Sequence, residues 1–146
     1  MRNYFLYMAA VFLLHTACDN QGKQAEGDVK NIPVVKRFGS VTGIKQDKIS
    51  YYKQLHAAVW PAVLKKIKEC NIQNYSIYLQ KIGTGYYLFS YFEYTGSDFE
   101  KDMKKMGMDS TTRRWWKETD PAQDPLPAAK AEKKIWTNME EVFHTD

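Results

Sequence analysis

The sequence predicts an α+β domain: one antiparallel sheet with its helices on a single face. Three observations predict it. An apolar stripe recurs at helical spacing over residues 52–67, and two aromatic-rich segments with strand character flank the turn Gly83-Thr84-Gly85. These signals sit in the order strand, helix, strand, strand, helix, strand. The chain of 146 residues has room for one domain of the usual roughly 100 to 200 residues. With 44% hydrophobic and 14% aromatic residues it can build a core, which excludes a disordered chain. The formal net charge is +4, and Lys and Arg are interspersed with acids rather than gathered in blocks, so no nucleic-acid partner is expected.

Met1-Arg2-Asn3 followed by the apolar run Tyr4 to Leu14 reads as a signal peptide over residues 1–17, too short to span a membrane comfortably. His15-Thr16-Ala17-Cys18 sets small residues before a cysteine and resembles the cleavage site of a bacterial lipoprotein precursor. Cys18 is then the expected lipidated residue, and the expected location is extracytoplasmic, anchored to a bacterial membrane by lipid alone, with plain secretion as the alternative. Residues 18–32 are polar, with Gly22 and Gly27, and read as a flexible tether. If Cys18 is acylated, Cys70 is left alone and forms neither an intrachain disulfide nor a cysteine metal site. It is expected as a small buried residue near a helix end.

The folded domain is expected over 33–146. Val34 to Ile44 is rich enough in β-formers for a first strand. Asp47 is placed to cap a helix whose stripe holds Tyr52, Leu55, His56, Val59, Trp60, Val63, Leu64 and Ile67, with lysines on the opposite side. Pro61 lacks an N–H and crowds the preceding turn, so this helix should kink or restart there, and Asn71 is a suitable left-handed stop. Ile72 to Lys81 alternates, with Tyr75, Ile77 and Leu79 on one face and Asn74, Ser76 and Tyr78 on the other. With Tyr86 to Tyr94 it forms a hairpin. Ser97-Asp98-Phe99-Glu100 has the form of a capping box and starts a second helix that Gly107 should end. A short helix is expected over Thr111 to Glu118, a proline-rich loop over Asp120 to Pro127, and a last strand over Ile135 to His144. This order, β-α-β-β-α-β, is that of a ferredoxin-like sheet with both long helices on one face.

His56 stands in the middle of the apolar stripe rather than on the charged side, with Tyr52 one turn before it and Trp60 one turn after. It is either a core histidine satisfied by a backbone carbonyl or a proton-transferring group. An imidazole with an unperturbed pKa of about 6.5 gives and takes protons at neutral pH, as opening and closing a cyclic hemiacetal requires. Trp115-Trp116 places two indoles about 100° apart on a helix, so both cannot enter one core layer. The pair is either two packing anchors in different layers or includes one indole that offers a flat surface to the C–H face of a sugar. Tyr75 either meets a ligand with its hydroxyl or reaches the sheet edge. Arg113 and Arg114 read as a solvated edge. No phosphate-binding glycine loop, zinc motif or nucleophile motif is present, and neither cofactor nor metal is expected.

Tyr52-x-x-x-His56-x-x-x-Trp60-Pro61, Asn74-Tyr75-x-Ile77-Tyr78-Leu79, Arg114-Trp115-Trp116-Lys117 and Met139-Glu140-Glu141-Val142-Phe143 together resemble the L-rhamnose mutarotase family over roughly Lys36 to Phe143. The resemblance implies a ferredoxin-like homodimer of the dimeric α+β barrel type that binds a sugar between helix and sheet. His56 is implied as the proton donor, and Tyr52, Tyr75, Trp115 and Trp116 as substrate contacts. The chain departs from the pattern at Ala57-Ala58, where Asn-Pro is usual, and in a slightly longer segment over Thr119 to Lys134. The implied activity is interconversion of the α and β anomers of L-rhamnose or a related 6-deoxy sugar. A non-catalytic sugar-binding lipoprotein would use the same aromatic residues without proton transfer, and a haem-binding protein of the same architecture would use His56 as a ligand.

Overall fold

The computed structural model describes residues 35–145. The signal peptide, Cys18 and the tether lie outside the described residues. Strand β1 (Lys36–Ile44) runs antiparallel to β3 (Gly85–Tyr94), from Lys36 opposite Tyr94 to Gly43 opposite Tyr87. On its other side β3 pairs with β2 (Ile72–Ile82). Two short strands, β4 (Gln123–Asp124) and β5 (Thr137–Met139), both pair with β1, so the sheet order is β2-β3-β1 followed by β4 and β5. The order is the expected ferredoxin-like one, with the last strand in two pieces.

That split corrects the expected strand over Ile135 to His144 and the expected loop over Asp120 to Pro127. A proline cannot donate to a ladder, and Pro121, Pro125 and Pro127 confine the first pairing to two residues. Gly43 permits that pairing: a Cβ there would lie 2.5 Å from the carbonyl oxygen of Asp124. Between the two pieces the chain forms a short helix at Pro127–Ala131. It returns through Ile135, whose carbonyl accepts from Thr42 Oγ1 at 2.8 Å, before β5 rejoins β1.

The apolar stripe becomes two helices, α1 (Ile49–Ala57) and α2 (Pro61–Glu69). Pro61 occupies the first turn of α2 after an extended Trp60, where its missing N–H costs nothing, so restart wins over kink. Asp47 does not cap α1. It lies in a 3-10 turn at Gln46–Lys48 that runs straight into the helix, with the Ile49 N–H bonded to the Gln46 carbonyl. Asn71 ends the pair with φ of 56°, as expected, and Cys70 beside it is fully buried.

Helix α3 (Phe99–Met108) is capped by Asp98, which accepts from the Lys101 N–H at 3.1 Å, rather than by Ser97. It runs through Gly107. What ends it is Asp109, which accepts from the N–H and hydroxyl of Thr112 at 2.7 and 2.9 Å and so caps α4 (Ser110–Thr119). A side-chain cap that satisfies an orphan donor outweighs the modest helical penalty of one glycine.

Phe38, Ser40 and Thr42 on β1 lie opposite Phe92, Ser90 and Leu88 on β3 and share one face of the sheet. That face carries two clusters. One gathers Cys70, Ile72, Tyr94 and Met106 with Phe38, Phe92 and Phe99 against it, and the other gathers Ile44, Tyr52, Leu88 and Ala122 with Ile77 and Trp136. Strand β2 changes its facing within its length. Ile72 pairs with Tyr94 and Gln73 with Glu93, but Ser76 pairs with Tyr91, and Asn74 at this irregularity has φ of 50°. The extra residue switches the side-chain parity, so Ile72 joins the first cluster and Tyr75, Ile77 and Leu79 all line the space beneath the helices. Glu93 holds the bulge, accepting from Gln73 and Asn74 at 2.9 and 2.7 Å. Among the described residues no helix is long and apolar enough to cross a membrane.

Candidate active site

Between the helices and the sheet lies a cavity of about 1200 Å³. Its walls are mostly aliphatic and aromatic, which is the usual character of a small-molecule site. His56, Tyr52, Tyr75, Trp115 and Trp116 all line it. The structure therefore brings together every catalytic and substrate-contact residue expected from the sequence.

His56 is in the last turn of α1 and half-buried. Its ring stacks on Tyr52 at 4.1 Å, as the four-residue spacing on one helix face requires, and meets the edge of Trp115 at 5.3 Å. Nδ1 is 2.9 Å from the backbone carbonyl of Tyr52. A carbonyl only accepts, so Nδ1 carries the proton and Nε2 of the neutral ring is a bare base. A backbone carbonyl thus satisfies one nitrogen, as expected of a core histidine, while the ring also lines the cavity. Burial lowers the His56 pKa, with the Tyr52 carbonyl working in the opposite direction.

Tyr52 is buried, and its hydroxyl is 3.4 Å from Gln123 Nε2, which donates to it. Burial raises its pKa well above the ordinary phenol range, and the nearby Tyr75 and Asp120 raise it further. Tyr75 follows the bulge, and its ring meets Phe92 edge-on at 5.6 Å. Although part of the ring is exposed, the hydroxyl is enclosed and its pKa is raised by burial. Of the two ligand-facing and edge-facing readings of Tyr75, the cavity position is the observed one.

The adjacent indoles separate as helix geometry demands. Trp115 is 6% exposed and packs edge-on against both His56 and Trp60, the latter at 5.4 Å, whereas Trp116 is 37% exposed at the cavity wall. Arg113 and Arg114 are exposed, and the Arg114 guanidinium lies 5.8 Å from the Trp60 ring centre. Helices α1 and α4 are tied by the Tyr51 hydroxyl, which donates to Glu118 at 2.6 Å, so the imidazole and the indoles are fixed relative to each other.

Sequence reasoning missed three residues of this wall: Asp120, Gln123 and Trp136. Asp120 falls one helical turn after Trp116, a spacing visible in the sequence. Gln123 and Trp136 reach the cavity through pairings with β1 and packing on its cluster, for which no local signal exists. Among the described residues there is no group of three or more His, Cys, Asp or Glu side chains arranged to hold a metal ion.

A helix-covered antiparallel sheet enclosing an imidazole among indoles and phenols defines a small α+β protein suited to acid/base chemistry on a polyol. Comparisons with known proteins narrow this. The sequence model of the L-rhamnose mutarotase family matches residues 37–145. The L-rhamnose mutarotase of Oceanobacillus iheyensis is 30% identical over 112 residues, covering 77% of this chain and 100% of that protein. That of Bacillus subtilis is 32% identical over 113 residues, with the same coverage. The crystal structure of an L-rhamnose mutarotase from Formosa agariphila is similar in fold, with a TM-score of 0.59 at 18% identity, over 76% of this chain and 99% of that one. The chain belongs to the L-rhamnose mutarotase family, a family of isomerases.

Proposed function

We propose that this protein interconverts the α and β anomers of L-rhamnose or a related 6-deoxy sugar, with His56 transferring the proton. The observation that carries the reading is the His56 ring itself: Nδ1 is committed to the Tyr52 carbonyl, and Nε2 has no partner among the described residues in a cavity walled by Trp115 and Trp116. The neutral ring takes the proton of the anomeric hydroxyl as the ring C–O bond breaks. After the aldehyde turns over, the imidazolium returns that proton as donor when the ring closes on the other face. Trp116 lies against the C–H face of the sugar, the hydroxyls of Tyr52 and Tyr75 meet its hydroxyl groups, and aliphatic wall residues such as Ile77 and Leu88 suit the C6 methyl. Family membership favours this enzyme over a non-catalytic sugar-binding lipoprotein.

Saturation-transfer NMR between the two anomeric resonances tests it. His56→Ala is expected to slow exchange by about 10² to 10⁴-fold, the usual worth of a positioned acid/base group. Exchange as fast in the variant as in the parent protein means His56 is not the proton carrier.

Two further assignments belong to this reading. A homodimer is supported by the sheet face away from the helices, where Val41 and Phe89 pair across β1 and β3 and are only half-buried. A monomer mass by sedimentation at micromolar concentration overturns it. A lipid anchor at Cys18 outside the cytoplasm is supported by the apolar run Tyr4 to Leu14 and by Ala17-Cys18. Recovery of the protein only from the soluble cytosolic fraction overturns that.

A further inference from the structure

Anomer exchange through the open chain needs two proton transfers, one at the anomeric hydroxyl and one at the ring oxygen, and His56 has a single free nitrogen. The cavity wall holds one carboxyl group among the described residues, that of Asp120. Asp120 continues the helical backbone just past α4, its N–H bonded to the Trp116 carbonyl, so it lies one turn along the same side of the helix as that indole. The turn that bears it is fastened to the end of β1: the Lys45 N–H donates to the Ala122 carbonyl at 3.0 Å, and Lys45 Nζ to the Pro121 carbonyl at 2.8 Å. Asp120 is half-buried on the same cavity wall as Tyr52, the ring on which His56 is stacked.

We propose that Asp120 is the second proton-transferring group of the reaction, acting at the ring oxygen while His56 acts at the anomeric hydroxyl. This rests on the mutarotase reading. Burial raises the Asp120 carboxyl above its ordinary value against an opposing bond from Thr119, and burial lowers His56. Both displacements favour the neutral forms, a carboxylic acid beside a free imidazole, which is an acid and a base in one site. In ring opening, Asp120 gives its proton to the ring oxygen as the C1–O bond breaks, and His56 Nε2 takes the proton of the C1 hydroxyl, leaving an aldehyde, a carboxylate and an imidazolium. Ring closure on the opposite face reverses both transfers: the carboxylate takes the proton of the attacking hydroxyl, and the imidazolium returns its own to the new anomeric oxygen. Atoms and charge balance, and both groups are restored.

Such a pair is active when it holds one proton between its two members, so the rate falls at both ends of the pH range. The other titratable groups on the cavity wall are Tyr52, Tyr75, Tyr78, Lys53 and Lys68. Burial raises the Tyr52 and Tyr75 phenols above their ordinary range, away from neutrality.

The test measures exchange against pH for the full chain, Asp120→Asn and Asp120→Glu, with thermal melting of each as a check on folding. Asp120→Asn is expected to exchange about 10²-fold more slowly at neutral pH and to lose the alkaline fall in rate while keeping the acid one, because only His56 still titrates. Asp120→Glu, which keeps a carboxyl, is expected to retain both limbs at a reduced rate. If the parent protein exchanges anomers and Asp120→Asn does so equally fast, or more slowly with both limbs intact, the role of Asp120 is overturned and that of His56 stands. If the parent protein does not accelerate exchange, both fail.

Discussion

The two ends of the layer between helices and sheet are built from similar residues and finished differently. At one end Phe38 is stacked against Phe99 at 4.4 Å and against Phe92 at 5.0 Å, while Tyr94 and Cys70 are fully buried. Its polar capacity is met internally: the Tyr94 hydroxyl and Asn71 Nδ2 both donate to Asp102, at 2.8 and 2.7 Å. At the other end Tyr52, His56 and Trp115 also touch in series, but around a void. There His56 Nε2 and the Tyr75 hydroxyl have no protein partner among the described residues, and Gln123 Oε1 is buried on the same wall without one. Enclosed polar atoms without partners cost folding free energy unless water or a ligand completes them. Aromatic density alone therefore does not mark the site. The contrast between satisfied and unsatisfied polar atoms does.

The sharpest way to break this comparison is to remove one aromatic ring from each end. Phe99→Ala takes a ring out of the filled end and should cost about 3 kcal/mol of stability, at the lower side of large-to-small core changes because the residue is partly exposed. Exchange per folded molecule should be unchanged. Trp116→Ala, at the hollow end, should alter stability by no more than about 1 kcal/mol and instead raise KM roughly tenfold, which corresponds to about 1.4 kcal/mol of lost sugar contact. Urea unfolding and anomer exchange on both variants check the pair. Equal stability losses, or a KM that follows Phe99, would erase the distinction.

Local features of both ends were legible in the sequence. Cys70 at a helix end, the Asn71 stop and the hairpin about Gly83 follow from local chemistry, and so does the stripe that sets His56 one turn from Tyr52. The stacking of His56 on Tyr52 and the split of Trp115 from Trp116 follow from helical periodicity, whereas Trp60, expected one turn after His56 on the same helix, lies beyond the end of α1 and packs on Trp115 instead. The rest depends on partners distant in sequence. Whether Gln123-Asp124 is loop or strand is decided by Gly43, some eighty residues earlier, and the fate of Gly107 by the cap that Asp109 supplies to the next helix. The bulge in β2 had a signal, since Asn is among the few residues that tolerate positive φ, but a regular alternation through Tyr75, Ile77 and Leu79 concealed it. Asp120 was hidden because a carboxylate beside prolines reads as loop.

The smallest effect expected is a displaced titration, and it reports on the hollow end most directly. Burial holds His56 below its ordinary 6.5, although the Tyr52 carbonyl favours the charged ring. The unfolded chain therefore binds this proton first as pH falls. The contribution of His56 to stability is fully present above 6.5 and is lost as pH drops from there through the lower folded-state value. NMR titration of the His56 ring Cε1 proton, assigned against His56→Ala, should show a midpoint below 6.5 that Phe99→Ala leaves in place. Trp115→Ala removes the indole edge 5.3 Å from the imidazole and admits water, so it should bring the midpoint back toward 6.5. A midpoint already at or above 6.5 in the parent protein would describe a wet imidazole, and the two ends would then differ in packing but not in the chemistry they permit.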